Sequence, residues 1–210
     1  MSDYRNTKYC PDLDKIEARK QEVEAIIRND HPRARDMHRY VSKNGSVYKT
    51  AFWEAYNKKC AYCGASNILV SKRDFQVDHF FYRKSSRFPK KENAGKMDNL
   101  VLACPLCNYS KGDFNISDEL ALKVHPDKNE ITKHFVRDKN FKICVVDPTD
   151  SSVNSFYERL RLGDELRRID YLIMSMNGLF DVLKSYPHMS KVRAIIGENV
   201  MELLKKRNSL

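Results

Sequence analysis

The 210-residue sequence has no apolar run long enough to cross a bilayer, which argues against a helical membrane span. Its first residues, Met1-Ser2-Asp3-Tyr4-Arg5, lack the apolar core of a secretory signal. These two absences lead to the expectation of a cytoplasmic protein with no membrane partner. In a reducing compartment disulfides are rare, so the six cysteines are expected to be metal ligands or buried thiols. No internal repeat and no low-complexity segment occurs.

What is present is an ordinary globular balance, 41% hydrophobic and 31% charged, enough for a sizeable core. The formal net charge is +10, which favours a polyanionic partner. That surplus is uneven. Residues 60–112 carry nine Lys/Arg against four Asp/Glu, a net of +5, whereas residues 113–150 carry six against eight, a net of −2. The positive charge peaks around the cysteine motifs, where a phosphate backbone would need it.

The pattern of apolar residues predicts four regions. Residues 1–57 form an N-terminal helical segment, with an amphipathic helix over 12–28 (Leu13, Ile16, Val23, Ile26, Ile27) and a second over 49–58 (Phe52, Trp53, Tyr56). His31-Pro32 breaks the first of these. Residues 58–113 form a core in which a knuckle, Cys60-Ala61-Tyr62-Cys63-Gly64, precedes an alternating strand, Phe75–His79. A basic loop over 80–98 follows, then a short strand, Leu100–Ala103, and a helix that Pro105 is placed to begin. Residues 114–150 are a mixed connecting segment with a strand at Phe141–Val146, closed by a turn at Pro148–Ser152. Residues 151–210 are a helical domain, one helix over 153–186 and another over 190–206, parted by Pro187.

Two CxxC knuckles, Cys60/Cys63 and Cys104/Cys107, supply the four thiolates of a tetrahedral zinc site. Sulfur fills every position, so the zinc is expected to be structural and to leave no place for water. The forty residues between the knuckles are more than a simple zinc ribbon holds, and they carry a second set of polar residues. Asp78-His79 ends the first strand, Asn99 opens the second, and Asn108 and Lys111 follow Cys107. Positions 104, 107, 108 and 111 share one helical face. One helix can therefore give Cys107 to zinc and present Asn108 and Lys111 to a neighbouring site.

This order of residues resembles the zinc-bearing branch of the HNH, or ββα-metal, endonucleases. That branch reads CxxC, a strand ending in Asp-His, a loop, Asn, then CxxC followed by His or Asn. The match covers about residues 58–113, a quarter of the chain. Asn108 stands where many members carry a second His; CRISPR effector nucleases of the family also use Asn there. The resemblance implies an α+β protein with a ββα-metal core and a nuclease activity. His79 would be the general base. Asp78 and Asn108 would hold one Mg²⁺ or Mn²⁺, because oxygen donors favour hard cations. Asn99 would brace the loop that orients His79, and Lys111 would contact a phosphate. Taken alone, each of these residues can equally be a polar edge, turn or surface residue.

Arg83, Lys84, Arg87, Lys90, Lys91 and Lys96 are candidates for contact with nucleic acid. The interleaved Phe80, Phe81, Tyr82 and Phe88 can stack on bases or pack on the core. The other histidines, His31, His38, His125, His134 and His188, fit no ligand spacing; Cys10 and Cys144 stand alone, with Cys144 read as a core thiol. In the C-terminal part, Leu162, Leu166, Ile169, Ile173, Met176, Phe180 and Leu183 recur at 4-3 spacing, a seam for helix pairing. Tyr157, Leu160, Leu172 and Leu179 lie off that seam and point to cover by another chain.

A looser resemblance links the plan to the PtuB-like HNH subunit of Septu-type anti-phage defence systems. It rests on Cys-Ala-Tyr-Cys at 60–63, Val-Asp-His-Phe at 77–80, the run from Asn99 to Asn108, and the helical tail. It implies a regulatory ATPase partner at the C-terminal helices. The expected substrate is DNA, with RNA such as tRNA the alternative. A non-catalytic zinc-finger binding module is the rival of another class, and Asp78, His79 and Asn108 together argue against it because binding alone does not need them.

Overall fold

The computed structural model describes residues 3–210, apart from the Lys91 side chain. Helix α1 spans Ile16–Asp30. It starts later than expected because Lys15 takes a left-handed backbone, φ 50°. Ile16, Lys20, Val23 and Ile27 are buried along one stripe, the spacing of a helix face turned to a core. A short helix that the periodicity did not predict, α2, covers His38–Val41. Helix α3, Val47–Ala55, begins at Ser46, whose hydroxyl accepts from the Lys49 amide at 3.0 Å. It stops short of the expected residue 58 because Asn57 and Lys58 both turn to positive φ.

Strand β1, Gln76–His79, pairs antiparallel with β2, Leu100–Ala103, in a register that sets His79 opposite Leu100 and Asp78 opposite Val101. Their connection is not all loop: α4, Lys91–Ala94, lies within it. Helix α5, Pro105–Lys111, follows β2 directly, with Pro105 in its first turn. Cys104 is its N-cap, the sulfur accepting from the Cys107 amide at 3.5 Å. Strand, strand and helix thus arrive in sequence order, and the helix begins where the second strand ends.

Helix α6, Asp118–Val124, leads to a second hairpin of β3, Phe135–Arg137, and β4, Ile143–Val145. Strand β3 was not expected, and β4 starts later than predicted because Phe141 has φ 66°. Ile143 points inward, so its neighbour Cys144 is only partly buried rather than a core thiol. Helix α7, Ser151–Arg159, is capped by Asp150, which accepts from the amides of Ser152 and Val153. Helix α8, Glu165–Leu183, and α9, Ser190–Asn208, complete the chain. The single helix expected over 153–186 is therefore two, parted where Arg161 takes φ 53° and Gly163 lies against the Tyr157 hydroxyl.

One hydrophobic core runs from Tyr4 through both cysteine knuckles to Leu162. Helix α8 joins it on more than its seam. Met174 is buried, its sulfur accepting from the Ser66 amide at 3.2 Å and its carbonyl from the Cys10 thiol at 3.5 Å. Arg137 sits 4.2 Å over the Tyr171 ring, against which Phe141 also stacks. Gly178 passes so close to Tyr9 that a Cβ would fall 2.8 Å from its carbonyl oxygen. Leu160 and Leu162 are fully buried. Of the four residues that the sequence pattern assigned to another chain, Leu160 is buried in this core and Tyr157 packs partly buried against it, while Leu172 and Leu179 are half-buried. Helix α9 pairs with α8 through buried Ile196, while Val192, Ile195 and Met201 stay exposed. No helix among the described residues is long and apolar enough to cross a membrane.

His125 shows how the core sets a pH dependence. Its ring lies 4.3 Å from Phe80, and its Nδ1 accepts from the Asp127 amide at 3.3 Å. Burial lowers its pKa below the usual imidazole value, with Asp127 opposing in part. The unfolded chain therefore takes up this proton first as pH falls through about 6.5, and stability present above that pH is lost below it. His125→Phe is expected to shrink the drop in Tm between pH 7.5 and 5.5 by at most about 4 °C. Thermal melts at the two pH values check this; an unchanged or larger drop contradicts it.

Candidate active site

The two knuckles meet across the hairpin. Cys60 and Cys63 lie in the turn after α3, and Cys104 and Cys107 at the start of α5; all four are buried, their sulfurs within 4.8 Å of one another. The Cys63 and Cys104 sulfurs are 3.8 Å apart. Tetrahedral zinc with Zn–S near 2.3 Å sets its sulfurs about 3.8 Å apart, so the donor set fits that ion. Burial pushes the thiols of Cys60 and Cys107 up, while hydrogen bonds from its neighbours hold Cys104 down. Four thiols competing for so little charge are the arrangement a divalent cation relieves.

A residue from far along the chain completes this centre. Arg167 of α8 is buried at 2% exposure, and its guanidinium donates to the sulfurs of Cys63 at 3.3 Å and Cys107 at 3.1 Å. It also reaches Cys104 at 3.8 Å. Burial opposes its charge, but the four sulfurs hold it firmly protonated. One turn on, Asp170 accepts from Arg207 of α9 at 2.6 Å. Four thiolates on Zn²⁺ carry net negative charge, and a buried cation against them lowers the cost of burying it. The sequence pattern missed Arg167; an arginine and an aspartate one turn apart on the buried face of α8 were the available signal.

Beside the cysteines, α5 lies against β1. Gln76 and Asp78 share one face of the strand, and Asn108 and Lys111 meet them from the helix. The Asn108 amide nitrogen donates to Gln76 Oε1 at 2.5 Å, which leaves its oxygen as a donor atom for a cation. Asp78 accepts from the Tyr62 hydroxyl at 2.6 Å and from Lys111 Nζ at 3.1 Å. Burial pushes its carboxyl above the usual carboxylate range, with Lys111 and Tyr62 pulling it back. Lys111 is 1% exposed, its ammonium also on the His79 carbonyl at 2.8 Å. It therefore holds Asp78 and the end of β1 in place; the expected phosphate contact is replaced by a buried ion pair. Carboxylate and amide oxygens are the right donors for Mg²⁺ or Mn²⁺, and any such ion would share Asp78 with Lys111.

His79 ends β1 on the opposite face of the strand, half-buried. Burial, His38, Arg83 and Lys111 lower its pKa to about 3, so its imidazole is neutral near pH 7. The loop leaving it is pinned by Asn99, which accepts from the Phe81 amide at 2.8 Å and donates to the carbonyls of Phe81 and Ala94. His38, which fits no ligand spacing in the sequence, stacks its ring on His79 with centroids 4.4 Å apart.

The basic loop divides. Arg83, Lys84, Lys90 and Lys96 are exposed, and the Lys91 side chain lies outside the described residues. Arg87 lies 3.9 Å over the Phe81 ring and pairs with Asp118. Phe80 is fully buried and Phe81, Tyr82 and Phe88 partly so. An open cleft of about 1010 Å³ is lined by Lys20, Arg87, Phe88, Lys96, Asn99 and Asp127, and by none of Asp78, His79 or Asn108. The chemistry of the side chains, rather than this hollow, marks the centre.

Residues 60–114 match the family model described as HNH endonuclease. No curated protein and no solved structure matches the chain. The matched stretch holds both knuckles, β1 with Asp78 and His79, and α5 with Asn108. The chain thus carries an HNH endonuclease domain, with its four cysteines gathered as in the zinc-binding CxxC…CxxC branch.

Proposed function

We propose that the chain is a metal-dependent endonuclease that hydrolyses phosphodiester bonds in DNA, with His79 as general base. The observation that carries this is that Asp78 and His79 end β1 and Asn108 lies against that strand on α5, all within the HNH match. In this reading the ring takes a proton from a water molecule as that water's oxygen bonds to phosphorus, and the sugar oxygen on the far side departs. Asp78 and Asn108 would hold a Mg²⁺ or Mn²⁺ ion, which supplies charge stabilisation for the phosphoryl and leaving oxygens. Lys111 and Tyr62 fix the Asp78 carboxylate, and Asn99 fixes the backbone that follows His79. Arg83, Lys84 and Lys90, which are exposed, would meet the phosphate backbone in this reading. One centre per chain cuts one strand, so double-strand cleavage takes two chains or two events. An anti-phage role and a regulatory ATPase partner follow from the looser resemblance alone.

The test is dependence on metal. Cleavage is expected to stop in EDTA and to return with Mg²⁺ or Mn²⁺, while the tightly held zinc stays with the protein. Duplex DNA and structured RNA are assayed side by side. Full activity of a chelator-treated, Mg²⁺-free sample overturns the hydrolytic mechanism, and cleavage of RNA alone overturns the choice of DNA. Binding of either without cleavage, in every metal, favours a zinc-finger binding module.

A further inference from the structure

We propose that His38 is a positioning residue of this nuclease centre, its ring a platform that holds the His79 imidazole in its working orientation. The inference rests on the nuclease reading above. The two rings lie 4.4 Å apart between centroids and 32° from parallel, an offset aromatic contact. Among the described residues no side chain hydrogen-bonds a nitrogen of the His79 ring, and the His38 ring stacks on it. The contact comes from outside the HNH match, which covers only residues 60–114.

His38 is itself firmly placed. Met37 and Val41 are buried on either side of it, at 1% and 0% exposure. The amides of Met37 and His38 both donate to the Gly95 carbonyl, at 2.8 Å and 3.3 Å. Gly95 belongs to the β1–β2 connection, four residues before Asn99, so α2 is tied to the same segment that Asn99 braces. A Cβ at Gly95 would lie 1.9 Å from the Asp36 carboxylate, so a larger residue there would have to push that side chain aside. His38 and the backbone after His79 are therefore held by one scaffold and keep their relative position. A general base free to rotate spends much of its time away from the attacking water, and displacements of about 1 Å in a catalytic group cost on the order of 10²-fold in rate.

The experiment compares His38→Phe with His38→Leu in the full chain. Both keep bulk at the site, but only Phe keeps a flat ring. Zinc content and Tm are measured first, to show that both variants fold. In single-turnover cleavage at saturating DNA, His38→Leu is expected to be about 10- to 100-fold slower than wild type, with DNA affinity unchanged. His38→Phe is expected to recover most of the rate. A second readout needs no cleavage: ¹³C relaxation of the His79 imidazole, expected to be rigid in wild type and His38→Phe and mobile in His38→Leu. Equal His79 mobility in all three proteins overturns the proposal. So does His38→Phe as slow as His38→Leu, which would assign the role to a ring nitrogen. If wild type cuts nothing, the nuclease reading fails by itself, and the relaxation data still decide whether His38 orients His79.

Discussion

His79→Ala is expected to leave a folded, zinc-loaded protein that still binds nucleic acid yet cleaves it about 10²- to 10⁴-fold more slowly, the usual contribution of a positioned general base. The separation of binding from cleavage follows from geometry. His79 lies on the face of β1 opposite Asp78, and its side chain contributes to neither the Asp78–Lys111 pair nor the cysteine cluster. Its removal takes away one partly buried ring and the stacking partner of His38, and no hydrogen bond of the core. The exposed cations of the loop, Arg83, Lys84 and Lys90, are untouched, so affinity at fixed salt should change little. Rate constants from single-turnover cleavage and affinities measured in Ca²⁺ test the two halves separately. A variant that cuts at close to the wild-type rate removes His79 from the chemistry.

The second large effect concerns zinc. Ser at any one of Cys60, Cys63, Cys104 or Cys107 is expected to give insoluble protein or to abolish the cooperative thermal transition. Structural zinc contributes about 10–16 kcal/mol of binding free energy in small domains, comparable to the roughly 5–15 kcal/mol that separates most folded chains from unfolded ones. The four cysteines are buried inside the continuous core, with Ala61, Tyr62 and Leu102 packed beside them, so a failed centre is not confined to a surface knuckle. Arg167→Leu is expected to fold and bind zinc but to release it faster to a chelator, because a buried cation against the sulfurs is gone. Elemental analysis and melting curves decide the matter. A soluble, folded wild-type chain without zinc refutes it.

The legible part of this chain was the part whose chemistry is local in sequence. The CxxC spacings, Asp78-His79 at a strand end and Asn108 after Cys107 can each be read from a few neighbouring residues, and the hairpin and α5 formed where those residues require. Alternation and helical spacing fix which face a side chain takes but not what it meets. Lys111 reads as a surface cation because lysines are usually exposed, and only the fold shows Asp78 across from it. His38 and Arg167 stand 41 and 60 residues from their partners and follow no motif, so tertiary contact alone brings them in. The breaks at Lys15, Phe141 and Arg161 were hidden for a related reason. Each is a non-glycine residue in a left-handed conformation, which its side chain does nothing to announce.

The position of Arg167 also sets an order of events during synthesis. Cys107, the last of the four thiols, leaves the ribosome sixty residues ahead of the guanidinium that will cover it. At ordinary elongation rates of about 5–20 residues per second, roughly 3–12 s separate the two. Through that interval the nascent cysteine cluster can capture its ion while one side is still open to water and to cellular thiols. The late arrival of α8 then closes that side, so the thiols are open to the ion before they are enclosed. A chain stalled before this helix would carry the whole HNH match around a cysteine cluster still open to exchange.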